Sequence, residues 1–174
     1  MNMSLPAHTE SLIFDDVASP VGRLRLIASH EALVSVWFEH GRDAARKSLW
    51  MTRRQSPILD RARLQLEEYF AGRRQHFELP LDPRGTEFQR RVWQRLLKIP
   101  YGETTTYGAL ARELGDPGAS RAVGLANGSN PLPIVIPCHR VIGADGSLTG
   151  FGGGLAIKSA LLELEHGATQ PRLL

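Results

Sequence analysis

Cys138 is the single cysteine of this 174-residue chain. No internal disulfide can close, and no multi-cysteine zinc site can form. A fold without such staples has to rest on buried apolar surface. The chain has the material, with 42% hydrophobic and 22% charged residues, ordinary for a globular protein. Its length suits one domain, or one domain carrying a smaller partner lobe. Six histidines (His8, His30, His40, His76, His139 and His166) are scattered, with no pair at the spacing that ligates a metal from one helix face. Nothing in the pattern asks for a metal. No stretch approaches the ~18 consecutive apolar residues of a membrane span. The opening residues, MNMSLPAHTESLIF, lack a basic stretch followed by an apolar one. The expectation is a cytoplasmic, monomeric protein with no membrane partner.

Secondary structure follows from periodicity and punctuation. Ser11–Val17, Arg23–Ala28 and Leu33–Phe38 are rich in Val, Ile, Leu and aromatics and read as antiparallel strands, with turns at Ser19-Pro20-Val21-Gly22 and Ser29-His30-Glu31. Residues 39–56 are polar and poorly periodic, a loop with a short helix. Pro57–Ala71 reads as a helix with Leu59, Ala62, Leu66, Tyr69 and Phe70 on its apolar stripe. Residues 73–85 contain two prolines and a glycine, and a lobe boundary is expected there. Thr86–Lys98 reads as a helix capped by Thr86 and buried through Phe88, Val92, Trp93, Leu96 and Leu97. Thr105–Leu114 and Ser120–Asn127 are two further helices around Gly115-Asp116-Pro117-Gly118, a helix-turn-helix spacing that other αα-corners share. In the second of these, Val123 and Leu125 are expected to pack inward. A last helix, Leu155–His166, would turn Ile157, Ala160, Leu161 and Leu164 inward.

On the residues alone, two readings of Cys138 stand open. It is a small buried hydrophobe, or it is a nucleophile, which needs a base and a group that orients the base. His139 is adjacent, but neighbours on an extended strand point to opposite faces, so a bridging water is the expected link. Glu163 and Glu165, on the last helix, are the candidate orienters.

The longer string Pro137-Cys138-His139-Arg140-Val141 resembles the active-site signature of the O6-alkylguanine-DNA alkyltransferases, the methylated-DNA–protein-cysteine methyltransferases. Tyr101-Gly102-Glu103 ahead of Tyr107, Ser120-Arg121-Ala122-Val123-Gly124, Asn130-Pro131 followed by Pro133, and Gly152-Gly153-Gly154-Leu155 are similar to the same family. The collinear match covers about residues 84–166. The resemblance implies an α+β fold. Residues 1–80 would form an N-terminal lobe with a small antiparallel sheet plus a helix. Residues 81–174 would form a mostly helical C-terminal lobe with the helix-turn-helix and the active-site loop.

It also implies an activity. The alkyl group of O6-alkylguanine in duplex DNA would move irreversibly to Cys138, once per molecule and without a cofactor, with O4-alkylthymine an open second substrate. His139 is then the water-mediated base and Glu165 its orienter. Asn130 braces the turn beside the site, and Tyr107 hydrogen-bonds the leaving guanine. The second helix of the helix-turn-helix would enter the minor groove and turn the base out of the stack. There Arg121 fills the vacated space, and Ser120, Ala122, Gly124, Ala126 and Asn127 complete the DNA-binding set. Helix N-terminal amides at Gly118–Ser120 are expected to meet phosphate. Tyr107, Val141, Phe151, Gly152 and Gly153 would line the base pocket. Phe151 stands where some relatives carry tyrosine, keeping the stacking ring without the hydroxyl, and Gly152 stands where some carry serine, which implies a roomier pocket. Cooperative assembly on DNA stays open.

Charge fits this partner only loosely. The net charge is +3 and the pI about 9.4. Residues 51–100 hold eleven Lys and Arg against six Asp and Glu, while residues 101–150 hold three against four. Arg84, Arg90, Arg91 and Arg95 are expected to assist at most through long-range attraction. The alternative is a non-catalytic protein of the same fold that recognises alkylated DNA. Such proteins commonly carry tryptophan in place of the nucleophile, and Cys138 stands against it.

Overall fold

A computed structural model describes residues 11–41 and 51–169 of the chain. The three expected strands form, as β1 (Ile13–Val17), β2 (Leu24–Ala28) and β3 (Leu33–Phe38) in an antiparallel meander. A short β4 (Thr52–Arg53) adds to β1 in parallel, giving a mixed sheet of order β3-β2-β1-β4. Two residues are too few to carry a periodic signal. The pairing rests on backbone groups, with Thr52 N donating to Leu12 O at 3.3 Å and Arg54 N to Phe14 O at 3.1 Å. Residues 42–50, half of the stretch expected to form a loop with a short helix, lie outside the described residues.

Helix α1 (Pro57–Phe70) packs on this sheet through Leu59, Ala62, Leu66 and Tyr69. Each large apolar side chain buried this way stabilises the fold by about 1.5–3 kcal/mol. Ser56 caps the helix, its side chain accepting from Leu59 N at 3.2 Å, and Pro57 occupies the first turn, where no amide is needed. The segment after it runs along the start of β3. Leu33 N donates to Pro80 O and Asp82 N to Leu33 O, each at 2.9 Å.

Helix α2 (Glu87–Leu96) opens with a capping box between Thr86 and Gln89 and buries Val92, Trp93 and Leu96. Leu97, expected on the same stripe, falls at the C-cap and is exposed. The next helix starts two residues later than expected. Thr105 and Thr106 form β5, parallel to β6 (Val141–Ile142), and α3 (Tyr107–Glu113) follows with Thr106 as its cap. The β-branched threonines favour the strand, and the ladder joins α3 to the chain just beyond Cys138. A 3₁₀ turn over Pro117–Ala119 leads into α4 (Ser120–Gly128), and α5 (Leu155–Thr169) closes the chain. The fold class is α+β, as expected.

Two corrections concern helix faces. Val123 is buried but Leu125 points to solvent. On α5, Leu161 is buried while Ala160 is exposed, and Lys158 and Glu165 are fully buried instead. Hydrophobic periodicity is blind to a polar side chain that is buried because it has partners.

Candidate functional site

Cys138 lies at the edge of a cavity of about 620 Å³ between β3 and the C-terminal part of the chain. The walls include Ser35, Trp37 and Phe38 from β3, Asn130 and Pro131, and the Gly150–Gly152 loop. The two parts are tied beside the cavity. Ser35 Oγ and Val36 N both donate to Pro131 O, at 2.8 and 2.9 Å.

The chain reaches Cys138 through a tight turn. Ile136 N donates to Leu132 O at 2.8 Å, and Ile134 has φ 74. That is the left-handed region, and a β-branched residue enters it only when its surroundings enforce it. Asn130 supplies part of the enforcement, its Nδ2 donating to Ile136 O at 2.8 Å and its Oδ1 accepting from Leu132 N at 3.0 Å. The apolar run Ile134-Val135-Ile136 is buried but bent, and Cys138–Arg140 is a 3₁₀ turn rather than a strand. Alternation across a strand therefore does not govern the Cys138–His139 pair.

Behind the thiol is a buried polar network. His139 is fully buried, and its Nε2 lies 2.7 Å from Glu165 Oε1. Tyr69 Oη donates to the same oxygen at 2.8 Å. Arg140 grips the carboxylate from the other side, Nε to Oε2 at 2.9 Å and Nη2 to Oε1 at 3.0 Å, and its Nη1 donates to Ile99 O at 2.6 Å. Gly102 N adds a bond to Oε2 at 3.2 Å. Gly102 has φ 79, so glycine is what lets this turn bring its amide to the carboxylate. Glu163, the other candidate orienter, is bonded by Ser159 instead.

These contacts fix protonation. Burial alone would raise the Glu165 pKa, but the hydrogen bonds from His139 and Arg140 outweigh it and hold it at about 2. Burial also lowers the His139 pKa, against the pull of Glu165, so the imidazole is neutral near pH 7. An ionised carboxylate only accepts, so the His139 proton sits on Nε2. His139 Nδ1 is then the lone-pair nitrogen, buried and with no hydrogen-bond partner among the described residues. Burial pushes the Cys138 thiol up to about 11, with the Asn130 amide and the Lys158 charge opposing it. The thiol therefore needs help to lose its proton, and a neutral imidazole with a free lone pair is a suitable base.

Sequence patterns do not single out Lys158, Arg140 or Tyr69. Lys158 is fully buried, and its Nζ donates to Val141 O at 2.6 Å and Thr149 O at 2.7 Å. It joins the strand leaving Cys138 to the start of the glycine loop. Arg140 lies within the signature string, and only its bidentate geometry reveals its work. Tyr69 sits 96 residues from Glu165, beyond any local pattern.

The other expected site residues divide. Phe151 and Gly152 line the cavity. Gly153 sits under two rings, since a Cβ there would meet Phe38 at 2.9 Å and Phe151 at 3.1 Å. Val141 is fully buried with its carbonyl taken by Lys158, so it backs the pocket rather than facing it. Tyr107 stands between α4 and the loop, its hydroxyl donating to Thr149 O at 3.2 Å and its ring near Gly124. On α4, Arg121 and Ala122 are exposed, and Ser120 and Gly124 are half-buried. Ala126 and Asn127 are corrected, because both side chains turn inward. The Ala126 carbonyl accepts from Trp93 Nε1 at 2.8 Å, and Asn127 Nδ2 donates to Cys138 O at 3.3 Å. Two of the three amides expected to meet phosphate are engaged internally. Gly118 N donates to Asp116 Oδ1 at 3.1 Å and Ala119 N to Asp116 O at 3.0 Å. Of the four arginines expected to act at long range, Arg84 pairs with Asp82, Arg95 with Glu113, and Arg91 donates to Leu114 O.

Residues 12–83 match the family model for the 6-O-methylguanine DNA methyltransferase ribonuclease-like domain, and residues 87–167 match the model for the DNA binding domain of the same family. A methylated-DNA–protein-cysteine methyltransferase of Methanosarcina acetivorans is 49% identical over 148 residues, 84% of this chain and 94% of the relative. The Mycobacterium tuberculosis protein of that name is 64% identical over 101 residues, which span 58% of this chain and 61% of the relative. A crystal structure of M. tuberculosis O6-methylguanine methyltransferase superposes with TM-score 0.84 at 46% identity, covering 93% of this chain and 96% of that one. A structure of M. tuberculosis OGT in complex with DNA gives TM-score 0.83 at 47% identity, covering 90% and 94%.

Proposed function

The chain belongs to the 6-O-methylguanine DNA methyltransferase family, and from that premise we propose that it repairs DNA by moving an alkyl group from guanine O6 to Cys138. The observation that supports this reading is the buried His139–Glu165 pair next to Cys138, with His139 Nδ1 unpartnered among the described residues. His139 Nδ1 takes the thiol proton through a bridging water. The thiolate attacks the alkyl carbon, the S–C bond forms as the C–O6 bond breaks, and the electron pair leaves with guanine. Tyr107 gives up its bond to Thr149 to stabilise the charge on the leaving base, an interaction made only as that charge develops. The thioether product ends the cycle, so one thiol serves one repair.

Duplex DNA is met from the minor groove by α4. Arg121 fills the place of the extruded guanine, and the small residues beside it let the helix approach in a groove only ~6 Å wide. The cavity at Cys138 receives the base, with the open backbone at Gly152 leaving space for alkyl groups larger than methyl. The protein acts as a monomer in this reading.

The test is incubation with DNA carrying labelled O6-methylguanine. Label should appear on Cys138, at most one equivalent per chain, and none on Cys138→Ser. Repeated turnover, or label released as methanol, overturns the proposal. Lesion binding without transfer favours the recognition-only alternative.

A further inference from the structure

Leu125 is 71% exposed, the most exposed large hydrophobic residue among those described. The direction follows from helix geometry. Val123, Ala126 and Asn127 form the buried side of α4. With 3.6 residues per turn, Arg121, Leu125 and Ser129 fall along the opposite side, with Ala122 next to them. The rest of that surface is nearly bare: Gly128 has open space where a Cβ would be. Leu125 is thus the one bulky apolar group at the centre of a face otherwise reduced to Arg121 and small residues.

Single exposed leucines are common and usually need no account. Leu64, Leu97 and Leu155 are of that kind, each outside α4. Leu125 differs in its neighbours. It stands one turn from the exposed Arg121, on a helix inside the segment that matches a DNA binding domain.

We propose that Leu125 is a second minor-groove contact, packing against the deoxyribose walls one helical turn beyond Arg121. This rests on the reading that α4 enters the groove. One turn of α-helix advances about 5.4 Å, between one and two base-pair steps at ~3.4 Å each. Leu125 therefore meets the duplex beside the extruded nucleotide, where the groove has to open to admit the helix. Apolar side chains are what minor-groove proteins press into such places. The contact carries no charge and displaces no counterion, so it adds affinity without adding salt dependence.

That last property gives the test. Wild type and Leu125→Ala are compared for binding to duplex DNA containing O6-methylguanine over a range of salt, for single-turnover transfer from that duplex, and for transfer from free O6-benzylguanine. The variant is expected to bind duplex about tenfold more weakly with the same salt slope, to slow duplex transfer at limiting protein, and to lose less on the free base. Thermal stability, unchanged within error, excludes a folding defect. Duplex affinity within twofold of wild type overturns the proposal. So does an equal loss on duplex and free base, or a loss confined to cooperativity, which would place Leu125 against a second copy of the chain. Failure of wild type to transfer from duplex at all would instead sink the reading of the site.

Discussion

Tyr69 on α1 and Glu165 on α5 meet through a buried 2.8 Å hydrogen bond, 96 residues apart in the chain. The carboxylate oxygen that accepts it is the one that faces His139. The helix packed on the N-terminal sheet is therefore in direct contact with the Glu165–His139 pair behind Cys138.

Tyr69→Phe isolates that contact. The ring keeps its neighbours Phe70, Phe77 and Tyr101, while the donor is lost. A hydrogen bond to a charged group is worth about 1.5–3 kcal/mol, and urea denaturation should show a loss of that order. Transfer to Cys138 should slow, with duplex affinity retained. Unchanged stability together with an unchanged rate would show that the bond does not support Glu165.

The relay also sets the response to acid. Both His139 and Glu165 have pKa values lowered by the fold. The unfolded chain therefore binds their protons more readily, and stability must fall as pH falls. The loss starts as pH drops through about 6.5, where His139 would titrate in the unfolded chain. It deepens between 4.5 and about 2 as Glu165 follows. The Glu165 share is on the order of 3 kcal/mol. Melting temperatures at pH 7, 5 and 3.5 should decline in that order, and His139→Asn should remove the first part of the decline. A melting temperature constant from pH 7 to 5 would contradict the neutral, buried imidazole.

Much of this architecture is legible in the amino-acid sequence. The three strands, α1, α2 and the Thr86 cap follow from alternation, 3.6-residue stripes and punctuation, because those signals arise from burial on one side of a regular element. The string around Cys138 points to Glu165 and Asn130, and the geometry brings both to the turn and relay behind the thiol. What stays hidden shares one physical cause. Tyr69, Arg140 and Lys158 find their polar partners elsewhere in the chain, and no local pattern encodes which carbonyl or carboxylate a distant side chain will reach. Leu125 departs in the other direction. Hydrophobicity alone predicts the interior, whereas the helix phase set by Val123, Ala126 and Asn127 turns it out.

Gly152 lines the cavity at Cys138. Nothing lies within 4 Å of the position a Cβ would take, and its φ is not in the left-handed region. Gly152→Val should therefore fold normally and keep transferring methyl, while slowing a bulky group such as benzyl several-fold more. Wild type should accept ethyl and larger groups at measurable rates. Competition between methylated and benzylated oligonucleotides reads both. Negligible wild-type rates beyond methyl would count against the open pocket.

Lys158 is the last contact to test, because its position gives it two tasks. Its ammonium joins Val141 O to Thr149 O, holding the strand after Cys138 against the start of the glycine loop. Burial lowers its pKa, and its charge in turn favours the Cys138 thiolate. Lys158→Met fills similar volume but withdraws both the donor and the charge. The buried Val141 carbonyl loses its partner, at about 1–3 kcal/mol when nothing replaces it, while Thr149 O keeps its bond from Tyr107. Transfer to Cys138 should drop more than tenfold, from free base as well as duplex, because the loss lies at the thiol and the loop rather than at α4. Duplex affinity, which the proposal assigns to α4, should change little. Single-turnover assays on both substrates, beside a binding isotherm, separate the outcomes. A variant impaired only on duplex DNA would mean that Lys158 serves DNA docking instead of the thiol.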